Sequence, residues 1–276
     1  MIYLGGGGSE HDESLVWDLV FSTNDKRVQN ESQNKRLKIA VWPYAQPPSK
    51  HDAVFSWFAS ALEPRGGDAN FIILREESFT PPYFGLVSDL SMSSSTCTCH
   101  GDSNMDNGES DDDGGTDEND NVDVLFIPGG NTFHLLHFLQ THPLLPQALR
   151  DFLEKGGVIF GGSAGALILG KDIAICDVQN GGLDENDIGL KDTAGLDLLG
   201  GAVVFPHFKT EEEEQHQVCK RWADEKDVVV IAMPERCGVK VDREKGMAWN
   251  TGPEGVWVFR LGEGGREYER GESWVL

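Results

Sequence analysis

The residues best suited to chemistry in this sequence surround one serine in the stretch GVIFGGSAGAL, residues 157–167. Gly161, Ser163 and Gly165 fit the G-x-S-x-G pattern of a nucleophile elbow, a sharp strand-to-helix turn that exposes a hydroxyl and admits only small neighbours. The apolar run before the serine predicts the strand, and the run after it predicts the helix. The alternative is that Ser163 only caps this helix while the glycines permit close packing.

A serine nucleophile needs a base, which is usually a histidine oriented by a carboxylate. His207 directly follows the predicted strand in VVFPHFK, so its imidazole would reach the sheet edge where Ser163 lies. Two acids compete to orient it, Asp177 at the end of IAIC and Glu235 after VVVIAM. Each acid could equally cap a turn, and His207 could equally be satisfied by backbone groups.

Two glycine-rich turns also follow predicted strands. GGGGS comes after the first strand, and PGGNT comes after residue 127. Gly129 and Gly130 stand beside a helix start and are candidate donors to an oxyanion. The alternative is an ordinary tight turn before the helix that begins near Thr132.

Metal-binding patterns are weak in this sequence. His134 and His137 are three residues apart in TFHLLHFL, but no carboxylate accompanies them. Cys97, Cys99 and His100 lack a fourth ligand at a recognisable spacing. We therefore predict neither a metal site nor a cofactor.

Strands and helices alternate along the chain in a way that predicts how these residues are positioned. Continuous apolar runs predict strands at residues 1–4, 37–42, 70–74, 122–127, 157–160, 173–176, 202–205 and 228–233. Helical patterns cover residues 12–22, 52–62, 132–155 and 211–225. This alternation predicts an α/β fold with a mainly parallel sheet flanked by helices. The last stretch, with GVKVD, GMAWN and GVWVFRL, predicts a short antiparallel C-terminal extension.

Charge and composition restrict the function classes. The chain has 276 residues and a formal net charge of −23, without a basic stripe to meet phosphates, so no nucleic-acid partner is expected. Glu76 to Leu149 holds 13 acids and no Lys or Arg. The centre of this window, residues 88–121, is too poor in apolar groups to join a core. We expect it to be a flexible acidic insertion within a single domain spanning residues 1–276.

The first residues and the cysteines bear on location. MIYLGGGGSEHDE has an apolar run of four residues and no basic flank, so neither a secretory signal nor a membrane span is expected. Five cysteines in a chain of this length do not make a disulfide framework. A cytoplasmic protein is therefore expected.

Five stretches in order resemble the dipeptidase E, or aspartyl dipeptidase, family of serine peptidases. They are IPGGNTFHLL, GGSAGAL, FPHF, AMPE and TGPEGVWVF, between residues 127 and 259, and LKIAVWPYA extends the match upstream. The resemblance implies a flavodoxin-like, class I glutamine amidotransferase-like fold. It also implies a small peptide as substrate, with a homodimer as a candidate assembly.

The resemblance also implies roles for individual residues. Ser163 would be the nucleophile and His207 the general base. The third member would be Asp177 first, after a one-residue shift, with Glu235 of the PE motif as the second candidate. The oxyanion hole would draw on the N–H groups of Gly130 and Ala164.

Two departures from the family and two rival functions remain. The first departure is the acidic insertion, which has no counterpart in the compact family pattern. The family places an arginine after the catalytic histidine to pair with an acidic substrate side chain, whereas KTEEEEQHQVCKR offers Lys209 and four glutamates. An aspartyl preference therefore does not follow. Thr210 and Glu213 instead predict a capping box for the next helix. The rival functions are an amidase or cyanophycinase-like hydrolase on the same fold, and a non-catalytic binding or sensor protein.

Overall fold

The computed structural model describes residues 1–22, 36–67, 71–75 and 122–276. The expected insertion at residues 88–121 and the Cys97, Cys99, His100 group lie outside the described residues. The strands within them are β1 (Ile2–Gly5), β2 (Leu37–Val41), β3 (Phe71–Leu74), β4 (Val124–Ile127), β5 (Val158–Gly162), β6 (Val203–Pro206), β7 (Val230–Met233), β8 (Gly238–Asp242), β9 (Met247–Asn250), β10 (Val256–Phe259), β11 (Arg266–Tyr268) and β12 (Ser273–Val275).

The α-helices of the same residues are α1 (Ser14–Phe21), α2 (His51–Leu62), α3 (Thr132–Thr141), α4 (Leu145–Glu154), α5 (Ala164–Leu169) and α6 (Glu213–Lys226). None of these helices has the length and apolar character needed to cross a bilayer.

The strands form two sheets that place the candidate residues at strand ends. The larger sheet has the order β12-β9-β8-β1-β5-β4-β2-β3, and its segment from β1 to β3 is parallel. The smaller sheet has the order β11-β10-β7-β6, in which β6 and β7 are parallel. The remaining pairs, which involve β8 to β12, are antiparallel. The predicted α/β class, with a parallel centre and an antiparallel C-terminal extension, is confirmed.

The core explains why the strand runs are apolar throughout. β1 and β4 are buried along their whole length, as a sheet covered on both faces requires. One face packs on α1 and α2 through a group of aromatic rings that includes Phe126 and Phe160, stacked at 5.0 Å between centroids. On the other face α5, buried at each of its positions, lies against β5 and β6. Helix α5 therefore joins the two sheets beside the serine.

The strand predicted at residues 173–176 is wrong. Residues Ala174–Cys176 form a 3₁₀ turn, closed by a 2.9 Å bond from the Cys176 N–H to the carbonyl oxygen of Ile173. Ile173 and Ile175 are fully buried. A four-residue apolar run is equally compatible with a buried turn, because periodicity does not separate the two at this length.

The single helix predicted over residues 132–155 is two helices, α3 and α4. His142 ends the first with φ −125° and ψ 72°, and Pro143 follows it. A residue before proline is pushed out of the α region, which explains the break. The sequence does not predict the short edge strands β11 and β12, because REY and SWV show no apolar run.

Candidate active site

Ser163 occupies a strained position in the turn between β5 and α5. Its φ of 51° and ψ of −110° fall in a region of backbone conformation that residues other than glycine rarely adopt. A Cβ at Gly161 would lie 2.3 Å from the carbonyl oxygen of Gly165, and a Cβ at Gly165 would lie 2.0 Å from that of Ile127. Only glycine therefore fits on either side of this strand–serine–helix turn.

The Ser163 hydroxyl faces a histidine rather than its own helix. Its side chain makes no capping bond to α5. Instead Oγ lies 2.9 Å from Nε2 of His207. The alternative in which the serine only caps the helix does not match this geometry.

His207 follows β6, and a carboxylate from the neighbouring strand reaches its other nitrogen. Nδ1 of His207 lies 2.9 Å from Oε1 of Glu235, which follows β7. Strands β6 and β7 are parallel with Pro206 opposite Met233, so both residues emerge at one sheet edge. His207 itself has a φ of 54°, and its N–H donates to the carbonyl oxygen of Gly6 at 2.9 Å.

The His207–Glu235 pair is partly in water. The side chains are 27% and 59% exposed respectively. An exposed ion pair is screened and contributes little by itself. Glu235 can therefore orient the imidazole by its hydrogen bond more than it can stabilise a buried charge.

Asp177 is not brought to His207. It lies between the two 3₁₀ turns Ala174–Cys176 and Val178–Asn180, where its Oδ1 accepts a hydrogen bond from the Gln179 N–H at 2.9 Å. Because the strand expected before it is a turn, Asp177 does not end a strand at the serine edge. It caps the following turn, which is the alternative considered for a strand-end acid.

Gly130 and Ala164 both lie next to the serine. A Cβ at Gly129 would be 3.1 Å from the Cβ of Ser163, so the PGGNT turn runs directly beside it. Gly130 has a φ of 147°, and a Cβ there would lie 2.2 Å from the carbonyl oxygen of Ala45. Within the part of the chain that the structure describes, neither the N–H of Gly130 nor the N–H of Ala164 donates a hydrogen bond to a protein acceptor. Both donors are therefore free to meet a ligand.

The PGGNT turn is held from two sides. The Asn131 side chain caps α3 by accepting from the His134 N–H at 3.1 Å. Thr132 donates its N–H to Oδ2 of Asp184 at 2.9 Å, and its hydroxyl bonds the same oxygen. These bonds fix the turn that carries Gly130.

The structure places a buried glutamate near the site, and the sequence does not predict it. Glu13 precedes α1 and is only 4% exposed. Burial raises the pKa of its carboxyl from 4.5 to about 7, against hydrogen bonds from Gly7, Trp17 and Gly8 that lower it. In the sequence HDESLVW this residue is indistinguishable from an exposed acid at a helix start, so no local signal identifies it.

A cavity of about 410 Å³ opens beside the His207–Glu235 pair. Its charged lining also includes two cations, Lys209 and Arg236, and three more acids, Glu211, Glu254 and Glu267. The hydrogen bond from Lys209 to Glu212, at 3.0 Å, raises the pKa of that ammonium. Arg236 lies 3.7 Å from Glu254. Both cations thus already have acidic partners.

Other sequence candidates have structural partners of their own. His134 lies 2.8 Å from Asp187 on the surface. The capping box predicted for α6 is wrong, since the helix begins after Glu212 without a side-chain cap. Across the described ranges, no three His, Cys, Asp or Glu side chains converge to hold a metal ion.

Comparison with known proteins gives matches to peptidases. Residues 114–248 match peptidase family S51. Peptidase E of Salmonella arizonae is 29% identical over 150 residues, which cover 51% of this chain and 60% of the relative. Peptidase E of Escherichia coli O1:K1 is 29% identical over 153 residues, which cover 52% and 62%. The chain thus spans about three fifths of the length of these curated relatives.

Two solved structures share the fold. A peptidase from an acI-B1 Actinobacterium superposes with a TM-score of 0.63 at 16% identity, covering 100% of this chain and 96% of that one. A putative peptidase E protein from Listeria monocytogenes EGD-e gives 0.52 at 16% identity, covering 94% and 98%. Ser163, His207 and Glu235 all fall inside the segment that matches family S51.

Proposed function

We propose that this chain is a serine peptidase of the dipeptidase E family and that it hydrolyses small peptides through an acyl-enzyme. Its matches to peptidase family S51 and to peptidase E support this assignment. The observation that carries the proposal is the hydrogen-bond chain from Ser163 through His207 to Glu235, with 2.9 Å at each step. Glu235, rather than Asp177, takes the third position. The positive φ angles of Ser163 and His207 support a catalytic role for both residues, because strained backbone conformations cluster at active sites.

The first half of the reaction moves one proton onto His207. With Nδ1–H donating to Glu235, Nε2 is left to accept the Ser163 hydroxyl proton as Oγ attacks the peptide carbonyl. The tetrahedral oxyanion lies against the N–H groups of Gly130 and Ala164, neither of which has an acceptor among the described residues. The imidazolium then gives its proton to the leaving amine, the C–N bond breaks, and the acyl group remains on Oγ.

The second half of the reaction regenerates the serine. A water molecule takes the place of the departed amine, and His207 removes its proton as the oxygen attacks the ester. The tetrahedral intermediate collapses, the proton returns to Oγ, and the acid product leaves. No cofactor is needed for these steps.

A fluorophosphonate probe combined with a dipeptide panel tests the proposal. The probe should add covalently to Ser163, as located by peptide mass spectrometry. Ser163→Ala and His207→Ala should each lower kcat/KM by roughly 10⁴-fold or more, and the double variant should lose little beyond either, since the residues act as a unit.

Ser60→Ala is the matched control. Ser60 lies on α2, where its hydroxyl donates to the carbonyl oxygen of Ser56 at 3.1 Å. This variant should keep parental turnover and labelling. Near-parental hydrolysis by a folded Ser163→Ala protein would remove the serine mechanism.

A further inference from the structure

The glycine segment, residues 5–8, holds the backbones of the two central active-site residues. The N–H of Ser163 donates to the carbonyl oxygen of Gly5 at 3.3 Å. The N–H of His207 donates to the carbonyl oxygen of Gly6 at 2.9 Å. The segment therefore links the larger sheet, which carries the serine, to the smaller sheet, which carries the histidine.

The same segment packs directly on the imidazole. A Cβ built at Gly7, whose φ is 102°, would lie 2.3 Å from Cε1 and 2.4 Å from Nε2 of His207. At Gly8 a Cβ would lie 2.5 Å from the carbonyl oxygen of Glu235. Any displacement of this segment would therefore change the space available to the ring edge that meets the serine.

Glu13 holds the glycine segment in place through a hydrogen bond and close packing. Its Oε1 accepts the Gly7 N–H at 2.8 Å, and its Oε2 accepts the indole N–H of Trp17 at 3.2 Å. A Cβ at Gly5 would lie 2.4 Å from Oε1, so the carboxyl group rests against that residue as well. Since these partners, and the Gly8 N–H, are all donors, the ionised carboxylate is the form that satisfies them.

We infer that Glu13 is a positioning residue for His207. The carboxylate of Glu13 holds the glycine segment, so that the imidazole of His207 keeps its orientation toward Ser163. The inference rests on the proposed function, because it assigns Glu13 a part in the same reaction. Glu13 does not touch the reacting atoms, and it acts through the glycine segment.

Ionisation of Glu13 gives this arrangement a pH dependence. Protonation, which is half complete at about pH 7, places an O–H among N–H donors and weakens the hold on Gly7. Within the described ranges, the titratable groups whose charges couple to Glu13 include Asp12, which raises the pKa of Glu13 further, and Cys237 before β8. Burial first, and then the charge of Glu13, raise the pKa of the Cys237 thiol, which stays neutral.

Glu13→Gln tests the inference, because the amide keeps the shape but turns an NH₂ group toward one of the donors. At pH 8 we expect kcat for a dipeptide to fall about tenfold with KM nearly unchanged, as misplacement of a catalytic group predicts. The ratio of parental to variant kcat should shrink as the pH falls from 8 to 6, because the parent then loses its own carboxylate. Taking the ratio cancels titrations that the two proteins share.

Glu10→Gln is the matched control. Glu10 lies in the same loop and accepts an indole hydrogen bond from Trp57 at 2.9 Å. This variant should keep parental kcat at both pH values. A folded Glu13→Gln protein with parental kcat at pH 8, or with a kcat ratio independent of pH, would overturn the inference.

Nuclear magnetic resonance of the full chain separates this inference from the proposed function. In the parent the Gly7 amide resonance should titrate with a midpoint near that of Glu13, and the amide resonance of Gly6, whose carbonyl oxygen accepts the His207 N–H, should show the same inflection. This readout requires neither turnover nor a variant that folds. If the parent hydrolyses nothing, the proposed function fails on its own. If the Gly6 and Gly7 amides do not respond where Glu13 should titrate, the inference fails even in an active enzyme.

Discussion

Glu235 and Asp177 differ in what their carboxylates touch. Glu235 accepts from the imidazole of His207, whereas Asp177 accepts from the backbone of Gln179. A group that orients the base contributes to the transition state, while a turn cap contributes to local stability. The two residues therefore predict different phenotypes.

Glu235→Gln should lower kcat by roughly 10²-fold or more, because Nδ1–H loses its carboxylate partner and the imidazole is no longer held in the required tautomer. Asp177→Asn should leave kcat within about twofold of the parent. Steady-state kinetics with one dipeptide and thermal melts of both variants make the comparison. A larger kinetic loss in folded Asp177→Asn than in Glu235→Gln would reverse the assignment.

At the level of elements, the loop from β1 to α1 affects both the candidate active site and the stability of the fold. This loop contains Gly6 to Gly8 of the glycine segment and ends at Glu13, which the packing of α1 keeps from solvent. A carboxylate placed there lowers the stability of the folded state, since burial disfavours its charged form. The same charge satisfies the N–H donors that hold the loop.

Glu13 should therefore make stability fall as pH rises. Its folded pKa of about 7 exceeds the ordinary 4.5, so between these values the folded state binds the proton that the unfolded state has released. The contribution of protonated Glu13 is complete below about pH 4.5 and is lost by about pH 7, an effect of about 3 kcal/mol in the free energy of unfolding.

Urea unfolding of the parent and Glu13→Gln from pH 5 to 8 measures this effect. The parental free energy of unfolding should decrease relative to that of the variant as the pH rises, because only the parent titrates at this position. Glu10→Gln should follow the parent throughout. Parallel curves for the parent and Glu13→Gln would contradict a buried, titrating Glu13.

At the scale of the whole molecule, charge bears on substrate choice. The chain carries a formal net charge of −23, and both cations lining the cavity beside His207 face glutamates. An acidic side chain entering there would lose hydration without an unpaired cation to replace it. A cationic substrate would instead be drawn in by the surrounding acids.

We therefore expect kcat/KM for Asp-Leu to fall below that for Leu-Leu, Ala-Leu and Lys-Leu. Glu254→Gln should raise kcat/KM for Asp-Leu, because it frees Arg236 from its partner at 3.7 Å. Glu263→Gln, on the turn after β10, is the control and should change nothing. A parental preference for Asp-Leu of roughly a hundredfold or more would mean that a cation does reach the substrate.

The sequence by itself determined strands β1 to β10, the glycines around Ser163 and the position of His207 after a strand. These features are local, because apolar runs must be buried and a tight turn requires small residues whatever lies around them. The choice between Asp177 and Glu235 was not local. It depended on the pairing of β6 with β7, and on whether residues 173–176 form a strand or a turn.

Only the tertiary structure revealed Glu13. Its role depends on packing that brings α1, the glycine segment and the edge of β6 together, across nearly 200 residues of chain between Glu13 and His207. In sequence it is one acid among 46 Asp and Glu, and nothing in its neighbours marks it as buried. Burial is a property of the assembled fold, so the raised pKa and its consequences arise only when the two sheets meet.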